Sequence, residues 1–104
     1  MILRDKDKNK IIEIAKNTLQ TPVEILVYGS RVNGEAHECS DLDLALVSLE
    51  QKPLPINELV DFKEALQDSS IPILVQVIDW YRVPEYFRKN IEEQNELLLK
   101  ENEK

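Results

Sequence analysis

A chain of 104 residues and 12.1 kDa has room for one domain with one modest core, and its 42% hydrophobic and 32% charged content excludes a disordered segment. Thirteen Lys and Arg against twenty Asp and Glu give a net charge of −7 and a pI near 4.7. That balance excludes a protein that grips long nucleic acid by its own surface, where affinity comes from neutralising phosphates. Cys39 has no second cysteine to pair with, no apolar run is long enough to cross a bilayer, and the first ten residues are charged rather than signal-like. The expectation is a single cytoplasmic domain over residues 1–104, with no membrane and no direct nucleic-acid partner.

The elements follow in chain order. Ile11, Ile12, Ala15 and Leu19 recur at helical spacing, with Lys8, Lys10, Glu13 and Lys16 on the other face, so residues 5–19 read as a helix stopped by Thr21-Pro22. Residues 23–28 are short, β-branched and followed by glycine, which predicts a strand. A loop or short helix covers 29–40, and 41–47 forms a second, central strand. Pro55 opens a helix to about residue 67 with Ile56, Leu59, Val60, Phe62 and Leu66 on one face. Residues 71–78 form a third strand ending in Asp79-Trp80. Pro84 opens a final helix carrying Phe87, Ile91 and Leu98, with a polar tail after it. The fold class is therefore α/β (α+β), a small mixed sheet of three to four strands with helices packed on it.

Average usage would give about seven glycines in such a chain. There are two, Gly29 and Gly34, both in one short segment. An apolar strand ends there in Gly29-Ser30, ten residues follow, and Asp41-Leu42-Asp43 opens the next strand. Alternation along that strand puts Asp41 and Asp43 on one side and Leu42, Leu44 and Leu46 on the other. Two nearby carboxylates repel, so the arrangement suits a hard cation such as Mg²⁺ shared with phosphate oxygens. Gly29 lets a phosphate approach the backbone, free N–H groups at a helix start favour anions, and the Ser30 hydroxyl adds a donor. Phosphates on one side and their neutralising metal on the other are the requirements of phosphoryl or nucleotidyl transfer.

Asp79 is the candidate third carboxylate, since Ile73, Val75, Val77 and Asp79 share a face of the third strand. Its alternative is the cap of a following turn. Asp61 and Asp68 fit an ordinary solvated helix face. Arg31 either reaches phosphate or is a surface arginine, and Ser40 either touches the metal shell or bonds its own backbone. His37 and Cys39 read as loop residues. Trp80, Tyr81, Tyr86 and Phe87 read as packing aromatics, and the leucines at 97–99 as the end of a core-facing helix.

At Gly29-Ser30, the ten-residue spacer, Asp41-Leu42-Asp43 and Asp79, the sequence resembles the DNA polymerase beta-like nucleotidyltransferase superfamily. The segments Gly-Ser-Arg-Val-Asn-Gly and Ser-Asp-Leu-Asp-Leu-Ala resemble its minimal nucleotidyltransferases, small catalytic domains paired with helical HEPN-domain RNases in toxin–antitoxin modules. The resemblance implies an antitoxin that transfers AMP from ATP to a tyrosine hydroxyl of a HEPN-type toxin. It implies Gly29 and Ser30 on the triphosphate, Asp41 and Asp43 on two Mg²⁺ ions, and Asp79 helping to activate the attacking hydroxyl. Two rival functions stand beside it. One is an antitoxin that only masks its partner, which would have no use for clustered acids. The other is a small-molecule transferase resembling those that adenylylate aminoglycosides, which would need a pocket from dimerisation. Oligomeric state, with itself or with the toxin, is left open.

Overall fold

The computed structural model describes residues 3–29, 32 and 41–100. Among these residues, three helices and four strands run in the order α1 (Asp5–Thr18), β1 (Val23–Tyr28), β2 (Leu42–Ser48), α2 (Ile56–Gln67), β3 (Val75–Asp79), α3 (Glu85–Glu93) and β4 (Asn95–Leu99). The strands form one mixed sheet in the order β3-β2-β1-β4, with β1 antiparallel to β2 and β4, and β2 parallel to β3.

Alternation sorts the sheet into two faces. Val23, Ile25, Val27, Leu42, Leu44, Leu46, Val77 and Leu98 are buried on one face, under Ile11, Ile14 and Ala15 of α1 and Leu59, Phe62 and Leu66 of α2. The two helices pack side by side there. Buried Glu58 of α2 fastens them to the sheet: its carboxylate accepts from the backbone N–H of Gln20 and Thr21 at 2.7 and 2.9 Å and from the Thr21 hydroxyl at 3.2 Å. Helix α3 covers part of the other face, where Phe87 meets Tyr28 edge-on at 6.0 Å between ring centroids. The sheet thus lies between two helical layers.

Two expectations change. The final helix stops at Glu93, and the leucines lie in a fourth strand beside β1. Asn95 turns its side-chain amide back onto the Ile91 carbonyl at 2.8 Å, closing the helix, and Leu98 enters the core from the sheet. A short leucine run fits either period, and the open edge of β1 decides it. Tyr86 is 71% exposed rather than a packing aromatic, whereas Phe87 does pack. No helix among the described residues is long and apolar enough to cross a membrane.

Candidate active site

The site is built where β1 ends and β2 begins. Antiparallel register sets Tyr28 opposite Asp43, and Asp41 precedes β2 on the same face. Gly29 follows Tyr28 with φ +80°, a conformation that side chains with a Cβ rarely adopt. A Cβ on Gly29 would stand 2.6 Å from Asp43 Oδ2, well inside contact distance. The glycine therefore serves two needs at once: the left-handed turn and the close approach to the carboxylate. The turn closes through the Val32 N–H on the Gly29 carbonyl at 3.0 Å.

Charge accumulates at this spot. Asp41 is exposed and Asp43 half-buried. Burial first, and repulsion from Asp41 second, push the Asp43 carboxyl above its ordinary value. Burial, with Asp43 adding to it, pushes the Tyr28 phenol up to about 12, so it stays neutral beside the acid. Neither carboxylate is ion-paired with a described residue.

The third position across the sheet is a glutamine. Parallel pairing sets Gln76 level with Asp43 on the same face, and its amide nitrogen donates to Asp41 Oδ2 at 3.2 Å. Asp79 is level with Leu46, on the face of Leu42, Leu44 and Leu46, and so lies opposite Asp41 and Asp43. It is 2% exposed, and its carboxylate accepts from the backbone N–H of Leu54 at 2.8 Å and of Tyr81 at 2.9 Å, with Arg82 Nε at 3.3 Å. The same arginine also bonds the Leu54 carbonyl. Asp79 is thus the cap of the turn after β3, and it cannot share a metal with Asp41 and Asp43. The assignment of Asp79 as metal ligand and catalytic residue is corrected on that ground.

Comparison with known proteins agrees with this architecture. The family described as "Polymerase beta, Nucleotidyltransferase" matches residues 9–104. The chain belongs to that family. It is a nucleotidyltransferase by that membership, and it is 38% identical over 87 residues to the "Probable protein adenylyltransferase MntA" of Haemophilus influenzae, covering 81% of this chain and 75% of the relative. Among solved structures it is similar to one described as a toxin–antitoxin with AMP-PNP, at TM-score 0.71 and 22% identity over 88% of this chain and 72% of that one. It is also similar to a toxin–antitoxin MntA–HepT structure, at TM-score 0.67 and 18% identity over 91% and 71%. These two likenesses establish the shared nucleotidyltransferase fold.

Within this nucleotidyltransferase, Gly29, Asp41 and Asp43 come together as expected, and Ser30, Arg31, Ser40, His37 and Cys39 lie outside the described residues. Gln76 was missed. Its signal was available in part: alternation puts Leu74, Gln76 and Ile78 on one face of β3, but only the fold supplies the register that sets that face beside Asp41 and Asp43. Among the described residues no three His, Cys, Asp or Glu side chains form a metal-holding group. The donor set that remains, the neighbouring carboxylates of Asp41 and Asp43, with Asp43 lifted by burial and then by its neighbour, fits Mg²⁺, which takes one or two protein carboxylates and completes its shell with phosphate and water.

Proposed function

We propose that this nucleotidyltransferase is an antitoxin that transfers AMP from ATP to a tyrosine hydroxyl of a HepT-type, HEPN-domain RNase toxin. The carrying observation is the Asp41–Asp43 couple, ion-paired with no described residue and set against the Gly29 turn, together with the likeness to a protein adenylyltransferase. In this reading Asp41 and Asp43 hold Mg²⁺, and Gly29 and Ser30 receive the triphosphate, with Arg31 and Ser40 on its flank. The metal would neutralise the phosphates and the pyrophosphate that leaves. The tyrosine oxygen bonds to the α-phosphorus, the bond from that phosphorus to the bridging oxygen breaks, pyrophosphate departs, and the phenolic proton passes to water.

Gln76 bears on the acceptor. With an amide rather than a carboxylate beside Asp43, the described residues offer no third acid to take the acceptor's proton. A phenol, with an ordinary pKa of about 10, releases its proton far more readily than an aliphatic alcohol, which favours tyrosine. AMP on that oxygen adds bulk and a negative phosphodiester near a site that binds RNA phosphates, so sterics and repulsion act together on the toxin.

The same glutamine gives the masking antitoxin one observation in its favour, since it removes an acid from the cluster. Incubation of both proteins with ATP and Mg²⁺, removal of this chain and intact mass spectrometry of the toxin separates the two. Transfer adds about 329 Da per AMP, and inhibition of the RNase persists after separation. A toxin of unchanged mass that regains activity on separation establishes masking instead.

A further inference from the structure

The open edge of the sheet has its own architecture. β3 pairs with β2 on one side and with no described strand on the other. The Leu74 carbonyl accepts from the Leu42 N–H and the Trp80 N–H donates to the Leu46 carbonyl, both at 2.9 Å. Even-numbered residues of this stretch therefore turn their backbone groups inward, and Val75 and Val77 turn their N–H and C=O groups outward along the edge. A groove of about 490 Å³ runs along that edge, between β3 and the C-terminal half of α2. Leu66, Ile71, Ile73 and Val75 give it an apolar lining, with Lys63 and Gln67 at its polar side.

Two features tie the groove to the active site. Gln76 lines the groove and also holds Asp41. Leu74 lines it as well, lies on the face of the acid pair, and is 61% exposed. A bare strand edge with outward N–H and C=O groups invites another strand, and short edge strands commonly guard against this with charge, proline or a bulge. The stretch Ile73-Leu74-Val75-Gln76-Val77-Ile78 carries no charge and no proline, and β3 pairs with β2 without a bulge.

We infer that this edge binds an extended segment of the acceptor protein as a fifth strand and so presents the acceptor side chain to Asp41 and Asp43, an inference that rests on the proposed protein acceptor. Strand addition supplies affinity from main-chain hydrogen bonds and specificity from pockets for alternate side chains. A fifth strand would lie two strand spacings, about 9.6 Å, from β2. Its site-facing side chain must reach across Gln76 to the acids, which suits a long side chain such as tyrosine and excludes serine or threonine. The apolar lining fits aliphatic neighbours of that residue, and Lys63 fits an acidic one.

The test uses the HepT-type toxin as the probe. Hydrogen exchange at the Val75 and Val77 amides is followed with the toxin added, and label transfer from ATP is measured in parallel. Strong protection at these two amides is expected with the toxin. Val75→Pro removes one outward N–H at the first residue of an edge strand, where proline is tolerated, and Leu74→Ser alters the exposed contact without touching the backbone. Each should raise KM for the toxin about tenfold with kcat within about twofold, as for loss of a binding contact that the transition state and ground state share. Wild-type transfer without protection, or with KM unmoved in both variants, overturns the groove and leaves the proposed function standing. Protection without transfer supports the groove and overturns the proposed chemistry. Protection that develops in this chain alone as its concentration rises assigns the edge to a second copy and overturns the inference.

Discussion

The parallel pair β2–β3 carries aspartates at both ends, and the two ends treat them in opposite ways. Near the start of β2, Asp41 and Asp43 face the same side, close enough for one to lift the other's carboxyl, with one glutamine amide as the neighbouring donor. At the end of β3, Asp79 is deeply buried, yet two backbone N–H groups and Arg82 meet its oxygens. Among the described residues, no cation compensates the first arrangement. The second satisfies its carboxylate completely and joins the segment before α2 to the turn before α3. A carboxylate in a conspicuous place is therefore informative only with its partners: an unpaired one marks a site, and a fully bonded one marks a staple.

The contrast breaks most sharply by substitution. Asp43→Asn should reduce AMP transfer by about 10³-fold or more while the protein remains folded, because the charge that holds the metal is gone. Radiolabelled ATP with the toxin reads this directly. Asp79→Asn should do the reverse. It leaves Arg82 with a weaker partner and costs about 2 kcal/mol, or about 8–16 °C in melting temperature, with transfer per folded molecule unchanged. Loss of transfer in Asp79→Asn at an unaltered melting temperature would return that residue to the active site.

A smaller effect sharpens the same comparison. The raised Asp43 carboxyl contributes stability below its ordinary value of 3.8, and that contribution is lost as pH rises through the folded-state value. At neutral pH the ionised group therefore weighs against the fold. Asp43→Asn in the absence of metal and nucleotide should melt about 2–4 °C higher at pH 7, and the gain should vanish below pH 3.8. An equal gain at both pH values would remove charge as the cause.

Much of the fold was legible in the chain. β1 runs over the residues expected of it, and α1, β2 and α2 begin and end within one residue of the sequence reading. These are elements whose apolar period is unambiguous and whose ends carry proline, glycine or a polar run. β3 begins later than expected, at Val75 rather than residue 71, because only from there does it pair with β2. The leucines at 97–99 were ambiguous by themselves, and the neighbour beside them settled their form.

The sequence by itself determined the local chemistry of the site. A glycine that must adopt positive φ, and two aspartates one residue apart on a strand, are consequences of backbone geometry and alternation that need no knowledge of the rest of the chain. The third position could not be read that way. Alternation assigns Gln76 and Asp79 to opposite faces of β3, but which of those faces meets Asp43 depends on how β3 is set against β2, and a shift of one residue would exchange them. That register is fixed by the burial of Leu42, Leu44, Leu46 and Val77 under α1 and α2, a long-range packing requirement. The tertiary structure thus placed the glutamine beside the acids and sent the aspartate to the other side of the sheet.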